Sequence, residues 1–478
     1  MTNQWVQRVR LPVPAAEVFA WHERPGALQR LTPRWERFEV VSGGTGIRDG
    51  DMMTARVGVG PFSTRWVARH SGYVAGREFQ DEQVEGPFRR WVHRHRVDPD
   101  GPAAAVLEDR IEYALPFGSL GQALAGSSIR AKLERAFAFR HAMTAIDLSR
   151  HHKFASAGKL TIAITGATGM VGSALVAFLT GGGHFVKVLT RKKTDKPDDD
   201  SIFWDPAAGE IDAAALEGVD AVIHLAGENI AGRRWNAAQK AAILDSRVKG
   251  TQLIAATIAK LRRPPRVFIS TSAVGYYGNH DAGEDLDEST TAGDDFLADV
   301  CKQWEAATAP AAAAGIRTVI VRVGVVLTAA GGALKKMLTP FKLGFGGKVG
   351  SGKQAMSWIS LDDLIGAYHQ ALFDGSLSGP VNATAPNPVT NHAFTKVLGA
   401  VLRRPTIAPL PAFMVKAMFG EMGKALLLGG ARVLPTRLLA AGFEFHHPTL
   451  EAALRHELGR PAPAVAPPAA TETPAPPA

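Results

Sequence analysis

Three glycines, Gly166, Gly169 and Gly172, stand at even spacing behind the apolar run Leu160-Thr-Ile-Ala-Ile-Thr165. Behind them Val171, Leu175, Phe178 and Leu179 recur at helical spacing. Strand, glycine turn and helix in this order suit a dinucleotide. Glycine at 166 permits the tight turn, glycine at 169 clears a Cβ from the path of a pyrophosphate, and glycine at 172 lets the helix lie close to the strand. The helix start adds unpaired N–H groups and the positive end of its dipole. The stretch expected to touch the phosphates is therefore Gly166, Thr168, Gly169, Met170, Val171 and Gly172.

The neighbouring segments extend that site. Phe185-Val-Lys-Val-Leu-Thr190 reads as the second parallel strand and ends in Arg191-Lys192-Lys193. NAD sites place a carboxylate here on the ribose 2′-OH, whereas a basic residue suits a 2′-phosphate. No carboxylate appears before Asp195, so Arg191 and Lys192 point to NADP; the competing reading is a solvated basic loop. Asp220-Ala-Val-Ile-His-Leu-Ala-Gly227 reads as a third buried strand. Its end, Leu225, Ala226 and Gly227, lets the cofactor cross the sheet edge, with Glu228 and Asn229 beside the nicotinamide. His224, inside that apolar run, reads as a packed core histidine. Arg322 closes a later buried strand and serves either the cofactor or substrate, or a structural ion pair.

These elements predict an α/β fold: a Rossmann-type doubly wound parallel sheet over 158–400, a small helical cap over 401–458 and a Pro/Ala-rich disordered tail over 459–478. Residues 158–457 resemble the extended short-chain dehydrogenase/reductases. The resemblance rests on Gly166-Ala-Thr-Gly-Met-Val-Gly172, His224-Leu-Ala-Gly227, Ile269-Ser-Thr-Ser-Ala-Val-Gly-Tyr-Tyr-Gly278 and Trp358-Ile-Ser-Leu-Asp-Asp-Leu364. Gly227-Glu-Asn-Ile-Ala-Gly232, Ser246-Arg-Val-Lys-Gly-Thr251 and Asp295 to Glu305 look like an atypical subfamily of NAD-dependent epimerase/dehydratase-like chains generally labelled epimerase family proteins.

The superfamily's machinery is a Ser or Thr that holds the substrate oxygen, a Tyr that moves the proton, and a Lys four residues later whose charge lowers the Tyr pKa. Ser272 matches the Ser. Counting back from Trp304-Glu305 puts Leu297 at the Tyr position and Cys301 at the Lys position. Neither does that work, and Lys302 is rotated about 100° around the helix. The chemistry therefore either differs or is missing. The substitutes on offer are Tyr276 and Tyr277, the latter as substrate contact or as packing. Cys301 reads as a small buried residue, with a reactive thiol as the alternative, and Asp294 and Asp295 as a helix cap and a first-turn charge, one of them an outside candidate for acid–base work. Asp362-Asp363 read as a cap and a structural hydrogen bond. Lys342 to Lys353 reads as a flexible, basic, glycine-rich loop in which Lys348 and Lys353 either meet an anionic substrate or face solvent. Its resemblance to a P-loop fails at Gln354, which cannot hold magnesium.

Residues 1–152 follow another pattern. A short strand, Trp5 to Leu11, and a helix from Pro14 to Trp21 precede alternating segments 51–59, 62–70, 78–84, 88–97 and 104–115. A long helix from about Ile129 to Leu148 closes the unit. This is an antiparallel meander and resembles the helix-grip fold of START-like and polyketide-cyclase-like domains, with Val13-Pro-Ala-Ala-Glu-Val-Phe19 as its best mark. That resemblance implies a cavity for a hydrophobic ligand; Trp21, Trp66, Phe79, Trp91 and Tyr113 either line it or form core.

At 478 residues the chain exceeds one ordinary core. One cysteine excludes an internal disulfide and a cysteine-rich metal centre, and no metal ligands are assigned. No apolar run is long enough for a membrane span, and Arg8 and Arg10 interrupt any signal peptide; the cytoplasm is expected. The net charge of +9 is scattered among Asp and Glu rather than massed, which argues against nucleic acid as partner. The expected function is an NADP-dependent oxidoreductase or epimerase-like enzyme acting on a small-molecule substrate. The alternatives are a non-catalytic NADP-binding sensor or scaffold lacking the Tyr–Lys pair, and a carrier of hydrophobic ligands.

Overall fold

Alternating apolar residues build an antiparallel sheet from the first part of the chain. The computed structural model describes residues 2–44, 46–59, 62–192 and 200–461. Its strands β1 (Asn3–Leu11), β2 (Phe38–Gly43), β3 (Met52–Val59), β4 (Phe62–Val74), β5 (Glu78–Glu85), β6 (Arg90–Pro99) and β7 (Ala105–Ala114) pair in the order β1-β7-β6-β5-β4-β3-β2. The sheet packs on α3 (Gly118–Lys153), where Leu133 and Phe137 meet Trp5, Ile111 and Tyr113. Helices α1 (Ala15–Glu23) and α2 (Ala27–Leu31) close one end over Leu107 and Leu148. A cavity of about 340 Å³ remains under the sheet. Trp66, Phe79 and Trp91 line it; Trp21 and Tyr113 are packed core.

Two elements depart from the sequence expectation. Helix α3 starts well before Ile129, because its first turns lie largely in solvent, with Leu120 and Leu124 exposed, and so show no apolar stripe. Strand β2 has no buried residue, so no alternation marks it.

The second sheet begins with β8 (Thr161–Thr165), followed by helix α4 (Met170–Gly181), β9 (Phe185–Thr190), β10 (Ser201–Asp205), β11 (Glu210–Ile211), β12 (Ala221–His224), helix α5 (Ala237–Ile258) and β13 (Val267–Ala273). The order is β11-β10-β9-β8-β12-β13, extended by strands Arg317–Val323 and Gly379–Ala383. All pairs are parallel except β10 with β11. The chain leaves β8 toward β9 on one side and returns to β12 on the other, which opens a crevice at the carboxyl end of β8. α4 and the helix Leu361–Phe373 cover one face of this sheet and α5 the other. C-terminal helices Ala412–Gly423 and Leu450–Glu457 complete the described chain, and strand Arg432–Val433 pairs with Asp285–Leu286. No helix among the described residues is long and apolar enough to cross a membrane. Of the tail expected to be disordered over 459–478, Gly459 and Arg460 instead continue the helix end, their amides bonded to His456 O and Arg455 O, and residues from 462 on lie outside the described residues.

The two units share a tight seam. α2 lies on the back of α4: a Cβ at Gly26, whose φ is +96°, would sit 2.3 Å from the Ala177 carbonyl oxygen. Asp362 and Asp363, at the start of Leu361–Phe373, are fully buried. Asp363 makes the expected structural bond, accepting from Ser360 Oγ at 2.9 Å, but the cap is Ser360, whose Oγ accepts from Asp363 N at 3.0 Å. Both carboxylates also take arginines from the N-terminal unit: Arg30 and Arg34 on Asp362, and Arg150 on Asp363.

Candidate nucleotide-binding site

The strand β8 ends in Thr165, and Gly166 then turns with φ +69°, a conformation that favours glycine. A Cβ there would lie 3.0 Å from Leu225 C and Ala226 N. One at Gly172 would lie 2.1 Å from Gly166 O. The loop, the helix start and the end of β12 are thus pressed together at backbone distance. Gly169 is the N-cap residue of α4 and leaves its first amides without a side-chain cap; no acidic residue stands in the first turn. Thr168 and Gly169 are exposed, and Met170 and Val171 half-buried. This is an open, electropositive cradle for an anion.

Thr165 braces the cradle from beneath. Its Oγ1 accepts from Leu225 N at 3.1 Å and Ala226 N at 3.2 Å. It therefore donates to His224 Nδ1, 2.7 Å away. Burial drives His224 down to about 3, so the ring is a neutral core acceptor, as its apolar surroundings suggested.

Arg191 and Lys192 follow β9 and are exposed; Lys193 and Asp195 lie outside the described residues. Beyond β12, Gly227 and Asn229 are exposed. Asn229 Oδ1 accepts from Ala231 N at 3.0 Å. A Cβ at Gly227 would lie 3.3 Å from the Arg247 guanidinium, which also sits 5.0 Å from the Trp304 ring centroid.

Ser272, Tyr277 and Arg322 come together, but with one another. Ser272 Oγ donates to Glu305 Oε1 at 2.7 Å. Arg322 clasps the same carboxylate, Nε to Oε1 at 2.9 Å and Nη2 to Oε2 at 2.8 Å. Its Nη1 donates to Tyr277 Oη at 3.0 Å, and that hydroxyl donates to Asn382 Oδ1 at 2.8 Å. Ser272, Tyr277, Arg322 and Asn382 are all buried. Of the two readings of Arg322, the geometry shows the ion pair. Tyr277 likewise occupies the packing alternative: burial pushes its phenol up to about 12. Tyr276 stays half-buried, with the Arg322 guanidinium carbon 3.4 Å from its ring centroid.

Helix α6 (Phe296–Ala306) puts Leu297 and Cys301 against the end of β13. Cys301 Sγ lies 3.7 Å from Ala273 O. Burial, then Glu305, pushes its thiol up to about 11. A hydrocarbon and an un-ionised thiol thus occupy the place of the Tyr–Lys pair. Asp295 caps the helix by accepting from Ala298 N at 2.9 Å.

Thr165, Arg247 and Glu305 lie inside the quoted motifs and Asn382 in none, and sequence reasoning gave none of the four a role in the site. Their common signal is a polar side chain at the end of an apolar strand or facing one from a helix. The loop 342–353 differs from the flexible segment its glycines suggest. Gly350 N and Leu410 N exchange bonds with Leu410 O and Lys348 O at 2.9 Å each, and Val349 N donates to Asn391 Oδ1 at 2.8 Å. The C-terminal segment pins it.

A doubly wound sheet carrying this glycine turn at its switch point defines a dinucleotide-binding domain of the short-chain dehydrogenase/reductase type. Residues 162–382 match the family described as NAD dependent epimerase/dehydratase family. Residues 11–141 match the family described as polyketide cyclase / dehydrase and lipid transport, and 410–457 a domain of unknown function. An epimerase family protein of Mycobacterium bovis is 45% identical over 300 residues, 63% of this chain and 98% of its own length. The chain belongs to the NAD dependent epimerase/dehydratase family. The human epimerase family protein SDR39U1 is 40% identical over 299 residues, 62% of this chain and 99% of its own. A structure of its isoform 2 with NADPH superposes with a TM-score of 0.57 at 38% identity, over 63% of this chain and 99% of that one. The nucleoside-diphosphate sugar epimerase from Corynebacterium glutamicum is similar over both units: TM-score 0.78, 34% identity, 95% of this chain and 90% of that one.

Proposed function

We infer that this chain binds NADPH in preference to NADH and works as an oxidoreductase or epimerase-like enzyme on a small molecule. The observation that carries the reading is the end of β9, where exposed Arg191 and Lys192 follow the strand directly; an NAD site has a carboxylate there. The cradle suits the group, since the first amides of α4 have no side-chain cap and no acidic neighbour, and side chains at Gly166 or Gly172 would collide with the backbone that shapes the turn. The NADPH held by the human relative supports the assignment.

When bound, the dinucleotide supplies hydride transfer. The chain's own residues do the rest. The Gly166–Gly172 backbone holds the pyrophosphate, Arg191 and Lys192 meet the 2′-phosphate, and Leu225 to Asn229 flank the nicotinamide end. A substrate oxygen reaching Ser272 has to displace its bond to Glu305. Tyr276, rather than the enclosed Tyr277, is the phenol left to move a proton. The N-terminal cavity takes an apolar ligand. A single buried thiol suits a reducing compartment, and we place the chain in the cytoplasm with no nucleic-acid partner.

One observation favours a second reading, a sensor without turnover: Leu297 and Cys301 stand where the proton-transfer pair belongs.

Thermal unfolding of the full chain with NADPH, NADH and neither tests the assignment. NADPH at 100 times its Kd adds about 2.7 kcal/mol to folded stability. NADH at the same concentration adds less, and Arg191→Glu abolishes the difference. Equal shifts from both nucleotides overturn the NADPH preference. Oxidation of bound NADPH by a panel of carbonyl compounds supports the enzyme; NADPH that stabilises the fold yet stays intact supports the sensor.

A further inference from the structure

The cavity of the N-terminal unit is apolar on most of its wall, with Leu31, Met53, Trp66, Phe79, Leu133 and Phe137 among its lining residues. Asp81, His93 and His95 enter it from the sheet. The pairing explains why they converge. Asp81 on β5 stands opposite His93 on β6, and His95, two residues on, points to the same face. His95 stands opposite Asp109 on β7. The buried His141, on α3, reaches Asp109 from the other side.

The distances make two layers. Asp81 Oδ1 is 3.3 Å from His93 Nδ1 and 3.7 Å from His95 Nε2. All three ligand atoms lie within 4.8 Å of one another. The other nitrogen of each ring faces Asp109: His93 Nε2 hydrogen-bonds it at 3.0 Å, and His95 Nδ1 approaches at 2.7 Å outside hydrogen-bond alignment. Asp109 also takes His141 Nε2 at 2.6 Å. Phe79 stacks on His95 at 4.3 Å and Phe137 meets His93 edge-on at 5.2 Å, so neither ring is free to swing.

With metal–ligand bonds of about 2.0–2.1 Å, neighbouring ligands of a tetrahedral zinc-class ion stand roughly 3.3 Å apart. The Asp81–His93 separation of 3.3 Å has that spacing, and the Asp81–His95 separation of 3.7 Å is a few tenths of an ångström wider. A buried carboxylate that orients histidines from behind, leaving their other nitrogens toward one point, is the outer shell of such sites.

Two other histidine-bearing clusters lack these features. His151, His184 and His369 have no carboxylate and lie near Lys159. Asp362, His456 and Glu457 are already taken by Arg30 and Arg34.

We propose that Asp81, His93 and His95 bind a divalent transition-metal ion of the zinc class, oriented by Asp109, with one coordination position open to the cavity. That position takes water or an oxygen atom of an otherwise apolar ligand. The N-terminal unit is then a metal site in its own right, separate from the nucleotide crevice.

The test uses the full chain, freed of any histidine tag and stripped with chelator. Titration with Co2+ yields a tetrahedral visible d–d spectrum saturating at one ion per chain, and elemental analysis after Zn2+ loading and dialysis finds one zinc. His95→Ala and Asp81→Asn abolish both signals, Asp109→Asn weakens binding by about 10–100-fold, and His369→Asn leaves them intact. A wild-type chain that retains no zinc and gives no cobalt spectrum overturns the proposal, whatever the variants do. Full metal binding by the folded Asp81→Asn and His95→Ala proteins, each checked by circular dichroism, overturns it as well.

Discussion

Arg30 Nη2 stands 3.0 Å from Asp362 Oδ1 and 2.7 Å from Asp147 Oδ1, with all three side chains out of solvent. An arginine of the N-terminal unit therefore pairs with a carboxylate of its own unit and with one from the first turn of Leu361–Phe373 in the nucleotide-binding unit. Burial opposes ionisation of Asp362, yet Arg34 and Arg30 outweigh it and hold the carboxyl well below the usual range. Removing one partner of a buried pair strands the other charge, which costs about 3–5 kcal/mol. Arg30→Met is expected to lose stability of that size in urea denaturation; a loss under about 1 kcal/mol is incompatible with this geometry.

Thr165 supports the cradle through one oxygen that accepts from two amides and donates to His224. Thr165→Val keeps the shape and leaves these buried groups unpaired, at about 1–3 kcal/mol. Equilibrium denaturation reads the loss, and NADPH titration is expected to show weaker binding, since Leu225 and Ala226 lose their anchor.

A Cβ at Gly172 would collide with the Gly166 carbonyl. Gly172→Ala forces the loop and helix apart, an overpacking cost of about 1–3 kcal/mol. Calorimetric titration is expected to find at least a tenfold loss of NADPH affinity. Wild-type affinity in this variant would mean that the nucleotide sits elsewhere.

Acid sensitivity follows from the histidines at the seam. Burial, then Lys159 and Arg24, pushes His184 down to about 4, and burial lowers His151 and His369 strongly. The unfolded chain binds protons at these positions below about 6.5 while the folded chain does not. Stability is therefore present above pH 6.5 and declines as the pH falls toward 4, by about 3 kcal/mol for His184 alone. Urea midpoints from pH 7 to pH 4.5 check this. His184→Gln is expected to flatten the profile, and a wild-type midpoint constant across that range would contradict it.

Cys301 gives a clean chemical readout because it is the single cysteine. Its raised pKa and burial leave no thiolate near neutral pH. A thiol reagent is expected to label the native chain no faster than it unfolds; rapid labelling would show that α6 opens.

Much of the nucleotide site was legible in the sequence because its demands are local. Gly166 must turn, Gly172 must yield space, and both show as glycine behind an apolar strand. The vacated Tyr and Lys positions were legible for the same reason, since one helix carries Leu297, Cys301 and Glu305 at fixed spacing. The long-range pairings were not. Arg30 and Asp362 are 332 positions apart, and nothing near either residue announces the other. Ser272, Tyr277 and Arg322 were visible as strand-end polar groups, but their mutual satisfaction depends on Glu305 and Asn382, brought in from other elements. The His93-x-His95 pair gains meaning only when cross-strand register sets Asp81 and Asp109 beside it.

The contact of Gly26 with Ala177 fastens the phosphate-facing helix from its far side. A nucleotide entering the crevice meets a helix whose far side rests on α2 of the neighbouring unit, and α2 in turn carries Ala27 and Leu31 into the wall of the histidine-lined chamber. Severed from its N-terminal companion, the nucleotide half would bare two carboxylates stripped of their counterions on ground shaped for burial. The fusion is a single machine frame rather than two tools on one handle.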